Sequence, residues 1–380
     1  MNTVSLRATL FRYTPDLLFL TAALLMHALA WRRTPARWAR VLLGVSAVWV
    51  FLSIVSNVHQ VANALPPGDW LQWARGTGQM YALCMTGILA IWMLLPKFEQ
   101  RFAPERRQFL LAARSGIVAA PAVITGYGVF SGRTQFHVKE VDLSFPGLDK
   151  DLQGLRILQL SDIHMSPFLT EADLARVIDM ANETKPHLAV LTGDLITGPH
   201  DPLEACIAQV ARLRADHGIV GCHGNHEIFA KVEDKAQALA GRRGIRILRQ
   251  EAASLRFGNA KMNLVGVDYQ NFRNPYLSGM ERLVEPGAMN VLLSHNPDVF
   301  PVAAAQGYDL TLAGHTHGGQ VTFEILHQYA NIARIFTPYV YGEYRKENRA
   351  IYVTRGIGTV GIPARVGAPP EITLIRLCAS

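Results

Sequence analysis

The pattern of apolar and polar residues divides the 380-residue chain into two parts near Ser131. Four long apolar stretches lie before Ser131, and short apolar runs that alternate with polar loops lie after it. Because a membrane-spanning helix needs about 20 mostly apolar residues, we expect about four transmembrane helices in residues 1–132. A buried helical bundle is the alternative, but basic loops between successive apolar stretches favour the membrane. The stretches run roughly over Pro15–Trp31, Val41–Val58, Thr77–Leu95 and Phe109–Phe130.

Basic residues cluster between the first and second stretches and between the third and fourth, and they predict an orientation. The two clusters are Arg32, Arg33, Arg37 and Arg40, and then Lys97, Arg101, Arg106 and Arg107. Positively charged loops stay in the cytoplasm. Four spans of the cytoplasmic (inner) membrane then leave both termini, and everything after Phe130, on the outer, periplasmic face. Glu105–Leu111 resembles a twin-arginine export signal, and because no convincing cleavage site follows it, we expect the exported part to stay tethered.

Residues 133–380 begin with a repeated order of strand, polar loop and helix, which is typical of parallel strands with helices packed on the sheet. Strands are predicted at Val138–Phe145, Leu155–Leu160, Leu188–Leu191 and Ile219–Cys222, and helices at Thr170–Glu183 and Pro202–Asp216. The later strands follow one another more closely, so we expect an α/β domain of two packed sheets with helices outside. These strands are Ile245–Leu248, Ser254–Phe257, Lys261–Val267, Met289–Leu293, Leu310–Ala313, Ala350–Thr354 and Glu371–Leu377.

Composition and charge favour a membrane protein over a nucleic-acid binder. Only 18% of residues are charged, yet the formal net charge is +7, and many of the arginines lie beside the apolar stretches. The part after Ser131 has no basic stripe interleaved with aromatic residues, so we do not expect nucleic acid as a partner. The four cysteines, Cys84, Cys206, Cys222 and Cys378, form no CxxC pair, which argues against a zinc ribbon or a disulfide framework.

Five polar clusters carry the candidate chemistry, and each follows a predicted strand. Ligands of such sheets gather beyond the carboxyl ends of the strands. Carboxylate, imidazole and amide groups suit divalent metals such as Mn, Fe or Zn, and the lack of cysteine argues against a structural zinc site. The ligands are too many for one ion and about right for two ions that share a carboxylate. The clusters are Asp162 with His164, Asp194, Asn225 with His226, His295, and His315 with His317.

In this order the clusters resemble the motifs of the calcineurin-like metallophosphoesterases, which read D-x-H, G-D, G-N-H-[DE], H and G-H-x-H. The resemblance covers roughly Leu155–Leu377. The segment Thr354–Thr359, with Pro363 and Arg365, resembles the corresponding segment in one branch of the family. Members of this branch are phosphodiesterases with export signals or membrane anchors. The resemblance implies a four-layer α/β/β/α sandwich behind the N-terminal four-helix transmembrane region.

The resemblance also implies a role for each residue of the clusters. Asp162, His164 and His317 would hold one divalent metal ion, and Asn225, His295 and His315 the other. Asp194 would bridge the two ions, and His226 would protonate or stabilise the leaving oxygen. Arg355 and Arg365 are candidates for contact with the substrate phosphate, with ion pairs in the closing turn as the alternative.

Two metal ions of this kind clamp a phosphate and turn a shared water into a hydroxide for in-line attack. We therefore expect a membrane-tethered phosphoesterase that hydrolyses a phosphodiester or pyrophosphate bond, with a lipid or envelope substrate. One alternative is a metal-dependent ligand-binding or sensor domain that signals through the membrane helices. Another is a pyrophosphatase of the UDP-diacylglucosamine type, whose active site would be cytoplasmic and would conflict with the predicted topology.

Overall fold

The computed structural model describes residues 18, 20–32, 34, 36–61, 69–94, 104–270, 276–322 and 331–380. Contacts within the chain divide it into two compact units. The first, the helical unit, comprises Met1–Gly132 with Gly361–Ala364. The second, the catalytic unit, comprises Arg133–Val360 with Arg365–Ser380.

The helical unit contains helices over all four apolar stretches of the sequence, as far as these stretches are described. They are α1 (residues 20–32), α2 (Arg37–Val61), α3 (Asp69–Leu94) and α4 (Pro104–Gly126). Within the described residues, only one helical segment, Arg37–Val55 of α2, is long and apolar enough to cross a membrane by length and composition. The start of the first predicted span, Pro15–Trp31, lies outside the described residues.

The expectation of four transmembrane helices is therefore not supported by the described residues. Parts of the predicted spans Thr77–Leu95 and Phe109–Phe130 lie outside the residues whose side chains are described. Asp69 and Arg75 of α3 precede the third predicted span, whereas Arg114 lies within the fourth, where a charged residue is costly in a bilayer.

The first sheet of the catalytic unit has six strands in the order β1-β12-β2-β3-β4-β5. Neighbours from β2 to β5 are parallel, β12 is antiparallel to β2, and β1 is parallel to β12. The strands β2, β3 and β4 are almost wholly buried, as expected for a parallel sheet covered on both faces. In the order of the sheet, the bounds are His137–Phe145, Glu371–Ala379, Arg156–Leu160, Leu188–Thr192, Ile219–Cys222 and Ile245–Ile247.

The second sheet also has six strands, in the order β10-β11-β9-β8-β7-β6. Its four central strands are parallel, and antiparallel hairpins close both edges. In the order of the sheet, the bounds are Gly342–Lys346, Arg349–Val353, Leu310–Ala313, Met289–Leu293, Ala260–Gly266 and Glu251–Phe257.

The two sheets pack face to face around one apolar core, in which Ile157 and Val190 of the first sheet meet Leu264 and Val291 of the second. Helices cover the outer faces. The outer face of the first sheet packs against α5 (Glu171–Glu183), α6 (Leu203–Val210) and α8 (Glu233–Arg242), and that of the second against α9 (Phe300–Gln306). The expected α/β class with metallophosphoesterase-type sheets is thus present, and the parallel strands of both sheets end at the loops that carry the five polar clusters.

Candidate metal centre

The loops that follow five strands bring the predicted ligands together. In the first sheet, Asp162 and His164 follow β2, Asp194 follows β3, and Asn225 starts the short helix α7 (Asn225–Ala230) after β4. In the second sheet, His295 follows β8, and the pair His315 and His317 follows β9.

Asp162, His164 and His317 form the first ligand group. One potential ligand atom from each lies within 4.8 Å of the others. The Nε2 atoms of His164 and His317 are 3.2 Å apart, and Nε2 of His317 is 3.4 Å from Oδ1 of Asp162. All three side chains are buried. A carboxylate and two imidazoles at this spacing can hold one divalent ion.

Asp194, His295 and His315 form the second ligand group, again with ligand atoms within 4.8 Å of one another. Nε2 of His295 lies 3.0 Å from Oδ2 of Asp194. One buried atom here, Oδ1 of Asn225, has no hydrogen-bond partner. Since a buried polar atom is costly when unpaired, this atom fits a site that accommodates a metal ion.

Asp194 links the two groups through one carboxylate oxygen. Its Oδ2 lies 3.4 Å from Nε2 of His164 in the first group and 3.0 Å from Nε2 of His295 in the second. Its Oδ1 accepts a hydrogen bond of 2.9 Å from the backbone N–H of His226. The carboxylate is therefore fixed on one side and faces both ligand groups on the other.

The charge states of His164 and His315 suit metal binding. Burial lowers the pKa of His164 to about 3 and that of His315 to about 4, so both imidazoles are neutral near pH 7 and can donate a lone pair. Burial would also lower the pKa of His295, but the Asp194 carboxylate outweighs it and raises that pKa to about 10. Burial opposes ionisation of Asp194, yet His295 holds its pKa well below the usual range. His295 thus supplies a positive charge beside Asp194, and a divalent cation would take the place of the His295 proton.

Backbone strain is concentrated at the ligands. Five of them have positive φ angles: 51° at Asp162, 47° at His164, 57° at Asp194, 76° at His315 and 52° at His317. A residue with a side chain in this region costs of order 1–3 kcal/mol. Strain of this kind persists where the surrounding structure enforces it, and it commonly marks a functional site.

The motif glycines allow the ligand loops to approach one another. A Cβ atom on Gly314 would lie 2.1 Å from Oγ of Ser161 and 2.3 Å from Oδ2 of Asp162. A Cβ atom on Gly224 would lie 2.1 Å from Oδ1 of Asp194. Only glycine fits at these positions while the carboxylates keep their places.

Partners behind the ligands fix their orientation. Nδ1 of His295 donates to the carbonyl of Thr192 at 2.7 Å, which leaves Nε2 for the metal. Glu227 completes the G-N-H-[DE] motif but was not among the predicted site residues. Its fully buried carboxylate accepts hydrogen bonds from the backbone N–H groups of Asp194, Leu195 and Gly224. Glu227 therefore ties the loop after β3 to the loop after β4.

His226 lies at the edge of the centre and is half-buried. Its Nδ1 donates to the carbonyl of Thr197 at 2.6 Å, and its ring meets that of His164 edge-on with centroids 4.7 Å apart. A ligand atom of His226 also lies within 4.8 Å of His164 and Asp194. Tyr269, which sequence reasoning missed, places its ring 5.4 Å from that of His315; its position after β7 was the available signal.

The two candidate substrate arginines differ in their surroundings. Arg355 is half-buried, and its guanidinium group lies 4.0 Å from the centroid of the Tyr341 ring. Arg365 is only 1% exposed, and its N–H groups donate to the backbone carbonyls of Gly358, Ala368 and Arg355. Its donors are directed at the carbonyls of the closing loop, so Arg365 stabilises that loop, and phosphate contact by this residue stays a prediction.

Comparison with known proteins agrees with this geometry. The family model described as calcineurin-like phosphoesterase matches residues 155–319. An uncharacterized metallophosphoesterase of Bacillus subtilis, YkuE, is 32% identical over 290 residues, which cover 72% of this chain and 97% of that protein. The chain belongs to the calcineurin-like phosphoesterase family. Its homologues imply a metal-dependent phosphoric ester hydrolase.

Two further relatives match a smaller share of their own length. A protein of Danio rerio named transmembrane protein with metallophosphoesterase domain is 31% identical over 271 residues, which cover 67% of this chain and 60% of that protein. An uncharacterized metallophosphoesterase of Campylobacter jejuni, Cj0846, is 31% identical over 244 residues, which cover 63% of each chain.

Proposed function

We propose that this protein is a membrane-associated, two-metal hydrolase of phosphodiester or pyrophosphate bonds, with a lipid-linked or envelope substrate. The observation that carries the proposal is the position of Asp194 Oδ2, within 3.4 Å of a ligand nitrogen in one group and 3.0 Å of a ligand nitrogen in the other. A carboxylate in this position suits a bridge between two cations. Mn, Fe and Zn all accept this set of oxygen and nitrogen ligands.

Two divalent ions held in this way would stabilise the charge of the transition state and activate a water molecule for attack. The protein's own residues supply the remaining steps. The hydrogen bond from Nδ1 of His226 to the Thr197 carbonyl fixes the ring and leaves Nε2 for proton transfer. When both ring nitrogens carry a proton, Nε2 can protonate the departing alcohol oxygen, which lowers the barrier to cleavage of the ester bond.

Membrane association is proposed from α2 and from the Danio rerio relative named as a transmembrane protein. The arginines that precede α2 support a cytoplasmic start for this helix, so one crossing takes the chain to the periplasmic side. If α3 and α4 also cross the membrane, their two crossings cancel, and the catalytic unit stays on the periplasmic side. A reporter fused after Ser380 tests the orientation: activity only in the cytoplasm would contradict the periplasmic assignment and favour the cytoplasmic pyrophosphatase alternative.

The enzymatic proposal is tested by hydrolysis of an aryl phosphodiester and the matching monoester by the detergent-purified full chain, with Mn, Zn or no added metal. We expect metal-dependent cleavage of the diester. On a diester with an alkyl leaving group, the His226→Ala variant should reduce kcat by roughly 10²–10⁴-fold, as expected for loss of a general acid. The loss should be smaller on the aryl diester, because a phenolate leaves with little protonation. The His200→Ala variant, at an exposed histidine, is the matched control and should keep full activity. Tight binding of phosphate esters without turnover of any would favour the sensor alternative.

A further inference from the structure

Tyr269 lies beside both histidines of the second ligand group. It follows β7, which ends at Gly266, and its side chain is half-buried. The centroid of its ring is 5.4 Å from that of His315 and 6.1 Å from that of His295. The phenol ring therefore borders the group that these histidines form with Asp194.

The hydroxyl of Tyr269 is available to a substrate. Among the described residues it has no hydrogen-bond partner. Burial raises the pKa of Tyr269, and the charge of the Asp194 carboxylate raises it further. A phenol keeps its proton at pH 7 even at its ordinary pKa of about 10. The hydroxyl is therefore a hydrogen-bond donor within electrostatic range of the carboxylate that links the two ligand groups.

The backbone on both sides of Tyr269 is held in place. Nε of Arg249 donates to both carboxylate oxygens of Asp268, at 3.2 and 3.0 Å. The side-chain amide of Asn296 donates to the carbonyl of Gln270 at 2.8 Å. Asp268 and Gln270 are the two neighbours of Tyr269, and Asn296 directly follows the ligand His295. The second of these hydrogen bonds thus ties the tyrosine to the loop that carries a ligand.

His226 and Tyr269 adjoin different ligand groups. The ring of His226 is 4.7 Å from that of His164 in the first group, whereas Tyr269 borders both histidines of the second. A phosphate that bridges two cations has oxygens at each of them. Because the leaving oxygen of the proposed reaction faces His226, the oxygen at the second group is one that stays on phosphorus.

An oxygen that stays on phosphorus is where a donor of this kind lowers the barrier. Negative charge spreads over the equatorial oxygens in the transition state of phosphoryl transfer. A donor that is already fixed toward this charge stabilises the transition state more than the bound substrate. The tied backbone and the contacts with two imidazole rings meet the requirement for a fixed donor at Tyr269.

We propose that Tyr269 is a further catalytic residue, whose hydroxyl donates a hydrogen bond to a phosphoryl oxygen that stays on phosphorus. This inference rests on the proposed phosphoesterase function and adds a residue to its site. In the reaction, the oxygen of water bonds to phosphorus and the ester P–O bond breaks. The leaving alcohol takes its proton from His226, and Tyr269 keeps its own proton throughout.

The test compares the detergent-purified full chain with a Tyr269→Phe variant, which keeps the ring and removes only the hydroxyl. Two phosphodiesters with the same retained group are hydrolysed in the presence of Mn, one with an alkyl and one with an aryl leaving group. Elemental analysis gives the number of Mn ions per chain. The matched control is Tyr276→Phe, at a nearby half-buried tyrosine that packs against the apolar cluster of Val265 and Leu292.

We expect Tyr269→Phe to lower kcat and kcat/KM by about 10²-fold, as for loss of one donor to a developing charge. The factor should be the same for both leaving groups, because the hydroxyl contacts an oxygen that does not leave. His226→Ala should differ in this respect, with a larger loss on the alkyl diester. The Mn content of Tyr269→Phe should equal that of the wild type, and Tyr276→Phe should keep its activity.

Three results would overturn the inference and leave the phosphoesterase function standing. They are unchanged turnover in Tyr269→Phe, a loss confined to the alkyl diester, and a loss of bound Mn, which would make the hydroxyl a metal ligand or a structural group. No turnover of either diester by the wild type would overturn the proposed function, and the inference with it.

Discussion

Replacement of Glu227 by glutamine should loosen the two loops that carry Asp194 and Asn225. The carboxylate is fully buried, with Oε1 2.6 Å from the backbone nitrogen of Leu195. Oε2 is 3.0 Å from the nitrogen of Asp194 and 2.8 Å from that of Gly224. A glutamine has one acceptor oxygen, so it can satisfy the two donors at one position or the single donor at the other.

The size of the effect follows from these contacts. Hydrogen bonds to a charged group contribute about 1.5–3 kcal/mol each and neutral ones about 0.5–1.5 kcal/mol. Glutamine keeps two bonds in weaker form and leaves one buried N–H facing an amide donor. Part of the loss is offset, because burial and the nearby Asp194 charge raise the pKa of Glu227 and make its anion costly. We expect a net loss of about 2–4 kcal/mol in the free energy of unfolding.

Pulse proteolysis of the detergent-purified chain across a urea series measures this loss in the catalytic unit. The unfolding midpoint should fall by about 1 M for a denaturant dependence near 3 kcal/mol per M. The Mn concentration for half-maximal hydrolysis should rise, because the Asp194 backbone loses its anchor. The matched control is Glu204→Gln, an exposed glutamate in the first turn of α6. A Glu227→Gln variant that behaves like Glu204→Gln in both measurements would refute the reasoning.

Three further predictions follow from the loops and from metal linkage. Gly314→Ala places a Cβ atom about one bond length too close to Ser161 and Asp162, so it should lower the free energy of unfolding by about 1–3 kcal/mol and lower the metal content. Gly241→Ala is the control: its added Cβ in α8 meets nothing, so it should raise the free energy of unfolding by about 0.5–1 kcal/mol. Arg365→Lys loses the planar fork that reaches several carbonyls and should lower the free energy of unfolding by about 3 kcal/mol, measured in the same urea series. Chelation with EDTA should lower the thermal midpoint of the catalytic unit and added Mn should restore it, whereas an unchanged midpoint would contradict metal binding to the folded state.

The sequence predicted the strands that carry ligands because each is a buried apolar run followed by polar residues. The predicted strand Leu188–Leu191 matches β3 at Leu188–Thr192 within one residue. The edge strand β10, Gly342–Lys346, was missed because most of its side chains are polar and solvent-facing and show no apolar alternation. The helix predicted from Pro202 to Asp216 is shorter in the structure and ends at Val210. The prediction ran too far because Leu213 continues the apolar pattern, although it is buried in the segment that follows the helix.

The sequence could not reveal contacts that depend on distant parts of the chain. Nothing in the sequence around Glu227 indicates that its carboxylate binds the backbone N–H groups of the loop after β3, because these lie more than 30 residues earlier in the chain. The burial of Arg365 against carbonyls, and the exposure of Phe229 beside His226, also depend on how the loops pack. By contrast, the ligand residues could be grouped from their motif order and from their positions at strand ends.

The most direct test of the account is the number of Mn ions bound per chain in the wild type and in the Asp194→Asn variant. Elemental analysis of the detergent-purified proteins, after loading with Mn and removal of free ions, gives this number. The account predicts two ions per wild-type chain, fewer in the variant, and loss of turnover together with the ions. One ion or none in the wild type, or two ions with full turnover in Asp194→Asn, would contradict a centre bridged by Asp194.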